Sequence, residues 1–244
     1  VYCLAHEDSP GVSREFYVAP KSTLAFALVS DVDCPTNSVG GVVAGIVPLD
    51  TYVFLATVTG RIYNCDVGAP TSWTASNYTT RSQTGSVPVA LKLHNNHLAL
   101  LCDTGIEFFY NAGYTQGSPL ARREDAYIPV GCKYENAIGE FEGDLFFIAK
   151  NENGSLYVAM LRGFAVTRIS TPEVEALLNR EESLITNHVT ASTTGCCVAW
   201  EGGAVYTLTV PTGTDETYRT LVYDIATGLW SRWTLGSDTH FRIW

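Results

Sequence analysis

His94 and His97, separated by Asn95 and Asn96, are the nearest thing in this chain to a metal-ligand pair. Zinc needs three or four such ligands; no third stands at a useful spacing, and there is no Cys-x-x-Cys pair. Asp31 and Asp33 offer oxygens suited to calcium, but their loop lacks the further ligands at regular spacing that a calcium site needs. Glu140, Glu142 and Asp144 cluster ahead of an apolar run. A glycosidase requires two carboxylates facing each other across a cleft, and a solvated acidic loop is the plainer reading of this cluster. No Gly-x-Ser-x-Gly elbow, P-loop or dinucleotide fingerprint occurs, and the Ser-x-Asp-x-Gly-x-x-Trp box of sialidase-like propellers is missing. The expectation is therefore no catalytic residue, no cofactor and no metal.

The elements around these residues are strands, and they repeat. A short apolar strand, a glycine-bearing turn and a second strand with an aromatic recur four times. The aromatics are Tyr63, Phe108, Tyr157 and Tyr206, spaced 45, 49 and 49 residues apart, each three residues after Gly60, Gly105, Gly154 or Gly203. A near-constant period of this size in strand-forming sequence marks radially repeated four-stranded blades. The first strands, Val53–Ala56, Leu98–Leu101, Leu145–Ile148 and Cys196–Trp200, are continuous apolar runs, as expected of inner strands buried on both faces. A fifth hairpin reads across Leu221–Asp224, Ala226-Thr227-Gly228 and Leu229–Trp233, in a form resembling the outer hairpin of kelch-type blades.

The fold class that follows is all-β: a β-propeller, or a large part of one, of four-stranded antiparallel blades. The blade-like units span about 40–80, 85–131, 134–171 and 186–244, with 1–39 an incomplete or additional blade, in a single domain over 1–244. The chain opens at Val1 and stops at Trp244 inside a strand-like run, which reads as a fragment of a longer protein. One segment breaks the pattern. Thr171 is placed to cap, Pro172 sits at the first helical position, Glu173 and Glu175 occupy the positively polarised first turn, and Val174, Leu177 and Leu178 make one apolar face. A short α-helix near 172–182 is predicted, either plugging the side of the domain or meeting a partner subunit.

Composition sets outer bounds. A formal net charge of −10, with 25 acidic against 15 basic residues, excludes a nucleic-acid clamp, whose affinity comes from clustered Lys and Arg. It suits a wall past which DNA travels without being gripped. No run approaches the roughly 20 apolar residues of a membrane helix, so no membrane insertion is expected. The seven cysteines are an odd number, and Cys65, Cys102, Cys132, Cys196 and Cys197 lie in or beside apolar strands. They read as buried free thiols of a protein assembled in a reducing compartment.

A family resemblance enters at the loops after the second strands. Gly60–Asn64 followed by Pro70–Trp73 and Ala75–Tyr78, then Ile106–Gly113, Ala126–Ile128, Gly131-Cys132, Leu145–Ile148 and Arg168–Glu175, taken in order, resemble the packaged-DNA stabilisation proteins of short-tailed bacteriophages. The similarity covers about residues 40 to 185; residues 190 to 244 look like a generic propeller hairpin, and no platform domain is recognisable. The resemblance implies a virion structural protein of the tail hub or nozzle, assembled in the host cytoplasm. It further implies a homo-oligomeric ring around the tail channel, with other tail and portal-adaptor proteins as neighbours, that retains packaged DNA without reading its sequence. Copies are then expected to meet through loops such as Gly113–Arg123, with the doubled basic site Arg122 and Arg123, and through the helix residues Glu173, Glu175, Leu177 and Leu178. The alternative is a ligand- or protein-binding propeller, a glycan reader or kelch-like docking module, with Trp73, Tyr114 and Tyr134 as exposed aromatics. A polysaccharide-cleaving propeller using Glu140, Glu142 and Asp144 is the remaining class.

Overall fold

The computed structural model describes residues 1–5, 14–39, 41–82, 85–151, 153–185, 193–200, 202–211 and 218–233. They form five antiparallel sheets, distributed over two compact units, Val1–Pro129 and Val130–Trp244.

In the first unit, β1 (Tyr2–Ala5), β2 (Glu15–Val18) and β3 (Ala27–Leu28) make a three-stranded sheet, followed by a single helical turn, α1 (Pro35–Ser38). The second sheet is β4 (Val47–Leu49), β5 (Tyr52–Ala56), β6 (Arg61–Asp66) and β7 (Ala69–Thr80), paired in that order. The third is β8 (Pro88–His94), β9 (His97–Cys102), β10 (Ile106–Asn111) and β11 (Leu120–Arg122), again in sequence order. The middle sheet of this unit has neighbours on both faces. Val53 and Leu55 pack with Phe16, Val29, Cys34 and Trp73, whereas Phe54, Ala56 and Ile62 pack with Leu91, Leu98, Leu100 and Phe109. Successive side chains of a strand point to opposite faces, so a strand covered on both sides must be apolar at every position, and that is why β5 and β9 read as unbroken runs. At Gly45 the second and third sheets approach each other backbone to backbone. Leu91 N–H donates to Ala44 O at 2.8 Å, and a Cβ on Gly45 would lie 1.9 Å from Leu91 O.

In the second unit, β14 (Asp144–Lys150), β15 (Leu156–Arg162) and β16 (Ala165–Arg168) are joined by two short strands, β12 (Gly131–Cys132) and β13 (Gly139–Phe141). Both short strands pair with β14, β12 opposite Ala149–Lys150 and β13 opposite Asp144–Phe146, so together they form one interrupted edge strand of a four-stranded blade. The interruption carries a buried tie, the Tyr206 hydroxyl donating to Ala137 O at 2.6 Å. After α2 (Pro172–Ile185) comes the last sheet, β17 (Thr194–Trp200), β18 (Gly203–Pro211), β19 (Tyr218–Asp224) and β20 (Trp230–Trp233), paired in order. Phe146, Ile148 and Val158 pack against Tyr206, Leu208, Leu221 and Tyr223, and Tyr206 stacks on Phe146 at 5.6 Å between centroids.

The predicted repeat is present, with one correction to its phase. The apolar runs at Val53, Leu98 and Leu145 are not the first strands of their sheets. They lie in β5, β9 and β14, each with a further strand paired along its other edge (β4, β8, and β12 with β13). Among the described residues the fourth run, Cys196–Trp200, opens its sheet as β17 and pairs with β18. Cys196 and Cys197 are half-buried. A hairpin pattern records which strands are neighbours, but not whether another strand lies outside them. Part of the expected blade 186–244, at 186–192, 201, 212–217 and 234–244, lies outside the described residues, as do residues 6–13 of the expected first blade.

The predicted helix is present and longer than expected, ending at Ile185. Val174 N–H donates to Thr171 Oγ1 at 3.4 Å and Glu175 N–H to Thr171 O at 3.0 Å, as the capping pattern requires. Val174 and Leu178 are buried with β15 and β18 side chains, and Leu177 is half-buried against the same cluster.

Candidate functional site

Two places, one in each unit, bring some of the candidate residues together. In the first, a cavity of about 270 Å3 is lined by Ser82, Glu107, Arg122, Arg123, Glu124 and Tyr127. Glu107, on β10 and 3% exposed, accepts from Ser82 N–H at 3.0 and 3.2 Å and from Ser82 Oγ at 3.1 Å. The Arg122 guanidinium lies 3.9 Å from Glu107 and pairs with the exposed Glu124, while Arg123 pairs with Asp125 at 3.1 Å. Arg123's hydrogen bond, acting against a small burial effect, holds the Asp125 carboxyl below its usual range. Burial, and after it the charge of Glu107, pushes the Tyr127 phenol up.

The doubled arginine is thus matched by acids of its own chain. Two arginines and two glutamates leave the lining neutral. The Ser82 hydroxyl donates to the Glu107 carboxylate, and the His97 imidazole meets Arg123 at 3.4 Å. None of this was legible in the sequence. Glu107 sits in an apolar strand, and its partner Ser82 is 25 residues away, so nothing in local spacing joins them.

The helix candidates lie in the second unit. Glu175 pairs with Arg168 and accepts from Ser170 Oγ at 2.7 Å. Arg168 also lies over the Tyr157 ring, 5.2 Å from its centroid. Burial tends to raise the Glu175 carboxyl, but the hydrogen bonds from Arg168 and Ser170 outweigh it and hold the carboxyl below its usual value. Glu173 is exposed. Leu178, 2% exposed, belongs to the unit's own core, so the surface that α2 offers a neighbour is its polar side with the rim of Leu177. Sequence reading missed Asn179. Its side chain bonds both the N–H and the carbonyl of Leu156, at 2.8 and 2.9 Å.

The other candidates are structural. His94 is fully buried beside Phe108, while His97 lies across the strand pair from it, with Asn95 and Asn96 both at positive φ in the two-residue turn between them. Asp31 Oδ2 accepts from Trp73 N–H at 3.0 Å and Oδ1 from Asp33 N–H at 2.9 Å, so both oxygens hold the fold together. Asp144 pairs with Arg162 across its hairpin, and Glu142 forms the turn at φ 50°, so the acidic cluster brackets a hairpin rather than facing a cleft. Among the described residues no group of three or more His, Cys, Asp or Glu is arranged to hold a metal. The seven cysteines are free; burial pushes the Cys102 thiol up to about 11 and the Cys197 thiol up to about 12. Trp73, expected to be exposed, is 4% exposed and packs edge-on to Phe16, which removes it from any surface reading. Tyr114 is 56% exposed, and Tyr134 is half-buried beside Lys133.

Relatives carry the question further. Residues 22–235 match the family model described as bacteriophage P22 Gp10, β-propeller. The chain belongs to this family. Its fold is that family's β-propeller, built of antiparallel blades with a short helix, and the family is one of packaged-DNA stabilisation proteins, structural components of phage virions. No curated protein matches. Among solved structures, the β-propeller domain of Myceliophteria thermophila Cps50 (Swd1) aligns at 10% identity and a TM-score of 0.42. The alignment covers 92% of this chain, which spans 63% of that one. No described helix is long and apolar enough to cross a membrane.

Proposed function

We propose that this chain forms part of the tail hub or nozzle of a short-tailed bacteriophage, where copies assembled in the host cytoplasm ring the DNA channel and keep packaged DNA inside. Its neighbours are further copies, other tail proteins and the portal adaptor. Its work is mechanical rather than enzymatic. The match of residues 22–235 to the P22 Gp10 family carries this reading. Two physical features support it. Sheets tied by strand ladders and by clusters packed face to face give each unit a stiff body. A net charge of −10 repels a phosphate backbone, which suits a passage through which DNA must later leave.

Antibody against this chain, visualised with gold on particles from the same source, is the test. Label at the distal tip of the tail is the expected result. Label absent from both intact and gently disrupted particles would overturn the proposal.

A further inference from the structure

The cavity of the first unit, about 270 Å3 in volume, is lined by side chains of both charges and one aromatic ring. Sites for drug-sized ligands run from roughly 300 to 1,000 Å3, so this one holds a single small ring rather than a longer molecule. Arg122 gives its Nε and Nη2 to Glu124, while its Nη1 stands 3.9 Å from Glu107 Oε2. That separation is too long for a hydrogen bond. It suits a hydroxyl seated beside both groups, accepting from the guanidinium and donating to the carboxylate. Glu107 is held in place for this by Ser82, whose N–H and Oγ both donate to it. Tyr127 supplies an apolar wall. Its ring packs on Gly105, where a Cβ would lie 2.8 Å from the ring atoms Cζ and Cε2, and the residue stays 40% exposed.

We propose that this cavity is a sugar-binding site that takes one neutral pyranose ring. Charge decides the class. Two guanidiniums and two carboxylates give an ion of either sign no net attraction, and an entering carboxylate would have to displace Glu124 and Asp125 from the arginines. A neutral ring gains from both signs at once, because every sugar hydroxyl both donates and accepts. One hydroxyl bridges Arg122 Nη1 and Glu107, and Arg123 and Glu124 line the remaining polar wall for its neighbours. The C–H face of the ring, slightly positive, lies against the negative π face of Tyr127. Glycine at 105 is what leaves room for that tyrosine. Sugar binding and labelling of the tail succeed or fail separately, so neither result decides the other.

The test uses the full chain and saturation-transfer NMR. Methyl glycosides of glucose, mannose and galactose are the free probes, dextran is the polymeric one, and glycine and acetate are the charged controls. At least one glycoside is expected to bind with a Kd of the order of 1 mM, with saturation passing mainly to the hydrogens of one ring face. Tyr127→Ala weakens that binding roughly three- to tenfold, whereas Tyr127→Phe keeps the aromatic face and retains it. Gly105→Ala, which turns Tyr127 aside, weakens binding in the same direction and serves if Tyr127→Ala does not fold. Tyr114→Ala, at an exposed tyrosine outside the cavity lining, leaves binding unchanged. Binding of a glycoside and of dextran supports a site open to a polysaccharide; binding of the glycoside alone supports a site for the free ring. The proposal is overturned if no glycoside binds, or if glycine or acetate binds as tightly and loses that binding with Tyr127→Ala. It is equally overturned if folded Tyr127→Ala and Gly105→Ala variants bind as the wild type does.

Discussion

Gly45 holds a φ of 111°, a conformation that side-chain-bearing residues rarely adopt, in the place where the second and third sheets touch. A methyl group there meets the Leu91 carbonyl, which is fixed by its own sheet and has nowhere to move. Gly45→Ala is expected to cost about 3 kcal/mol or more, through backbone strain and overpacking together, read as a fall in the urea midpoint. Gly105→Ala is the useful contrast. The added methyl meets the far end of the Tyr127 side chain, which is 40% exposed and free to turn away, so the loss is expected to stay below about 1 kcal/mol. Equal losses for the two variants would show that flexibility at Gly45, and not contact with Leu91, is what matters.

At the scale of the element, α2 is the informative case. Leu178→Ala removes a buried side chain from the core of the second unit and is expected to destabilise it by about 2–5 kcal/mol, whereas Leu177→Ala, at the rim, costs less. A Leu178→Ala variant that melts at the wild-type temperature but assembles poorly would mean that this side of the helix faces another subunit. The ion pair at the helix start adds a pH dependence of known sign. The folded state holds the Glu175 carboxyl below its ordinary value of 4.5, so the pair's contribution is fully present above that value and is lost as pH falls through the lowered folded value. Thermal melts of wild type and Glu175→Gln should therefore differ near neutrality and converge as pH falls below 4.5. A gap that stays constant down to acid pH would show that Glu175 acts through packing rather than charge.

At the scale of the whole molecule, the acidic surplus is the property that bears on DNA. Binding to a duplex is driven by release of counterions from phosphates that Lys and Arg neutralise, and here the doubled arginine is already paired with Glu124 and Asp125. The isolated chain is expected to leave duplex DNA unshifted in a gel even at about 50 mM salt, where phosphate binding is strongest. A shift that fades steeply as salt rises would point to a basic surface and would replace the passive-wall reading with an active grip.

The sequence by itself determined what is local or periodic. Glycine-bearing turns at fixed spacing located the hairpins. The cap at Thr171 and Pro172 located the start of α2, because capping and turn conformations depend on a few adjacent residues. Unbroken apolar runs announced strands covered on both faces. Tertiary structure decided what depends on distant neighbours. It placed β4, β8, and β12 with β13 outside the runs that had been read as first strands, because strand order in a sheet is set by pairing across the chain and leaves no mark inside any one strand. It buried Trp73 under Phe16 and bonded Asn179 to the backbone of Leu156, 23 residues away in sequence. It also joined Ser82 to Glu107 and paired Arg122 with its own acids. A side chain's worth is set by what folding brings against it, and its own type and immediate sequence do not contain that.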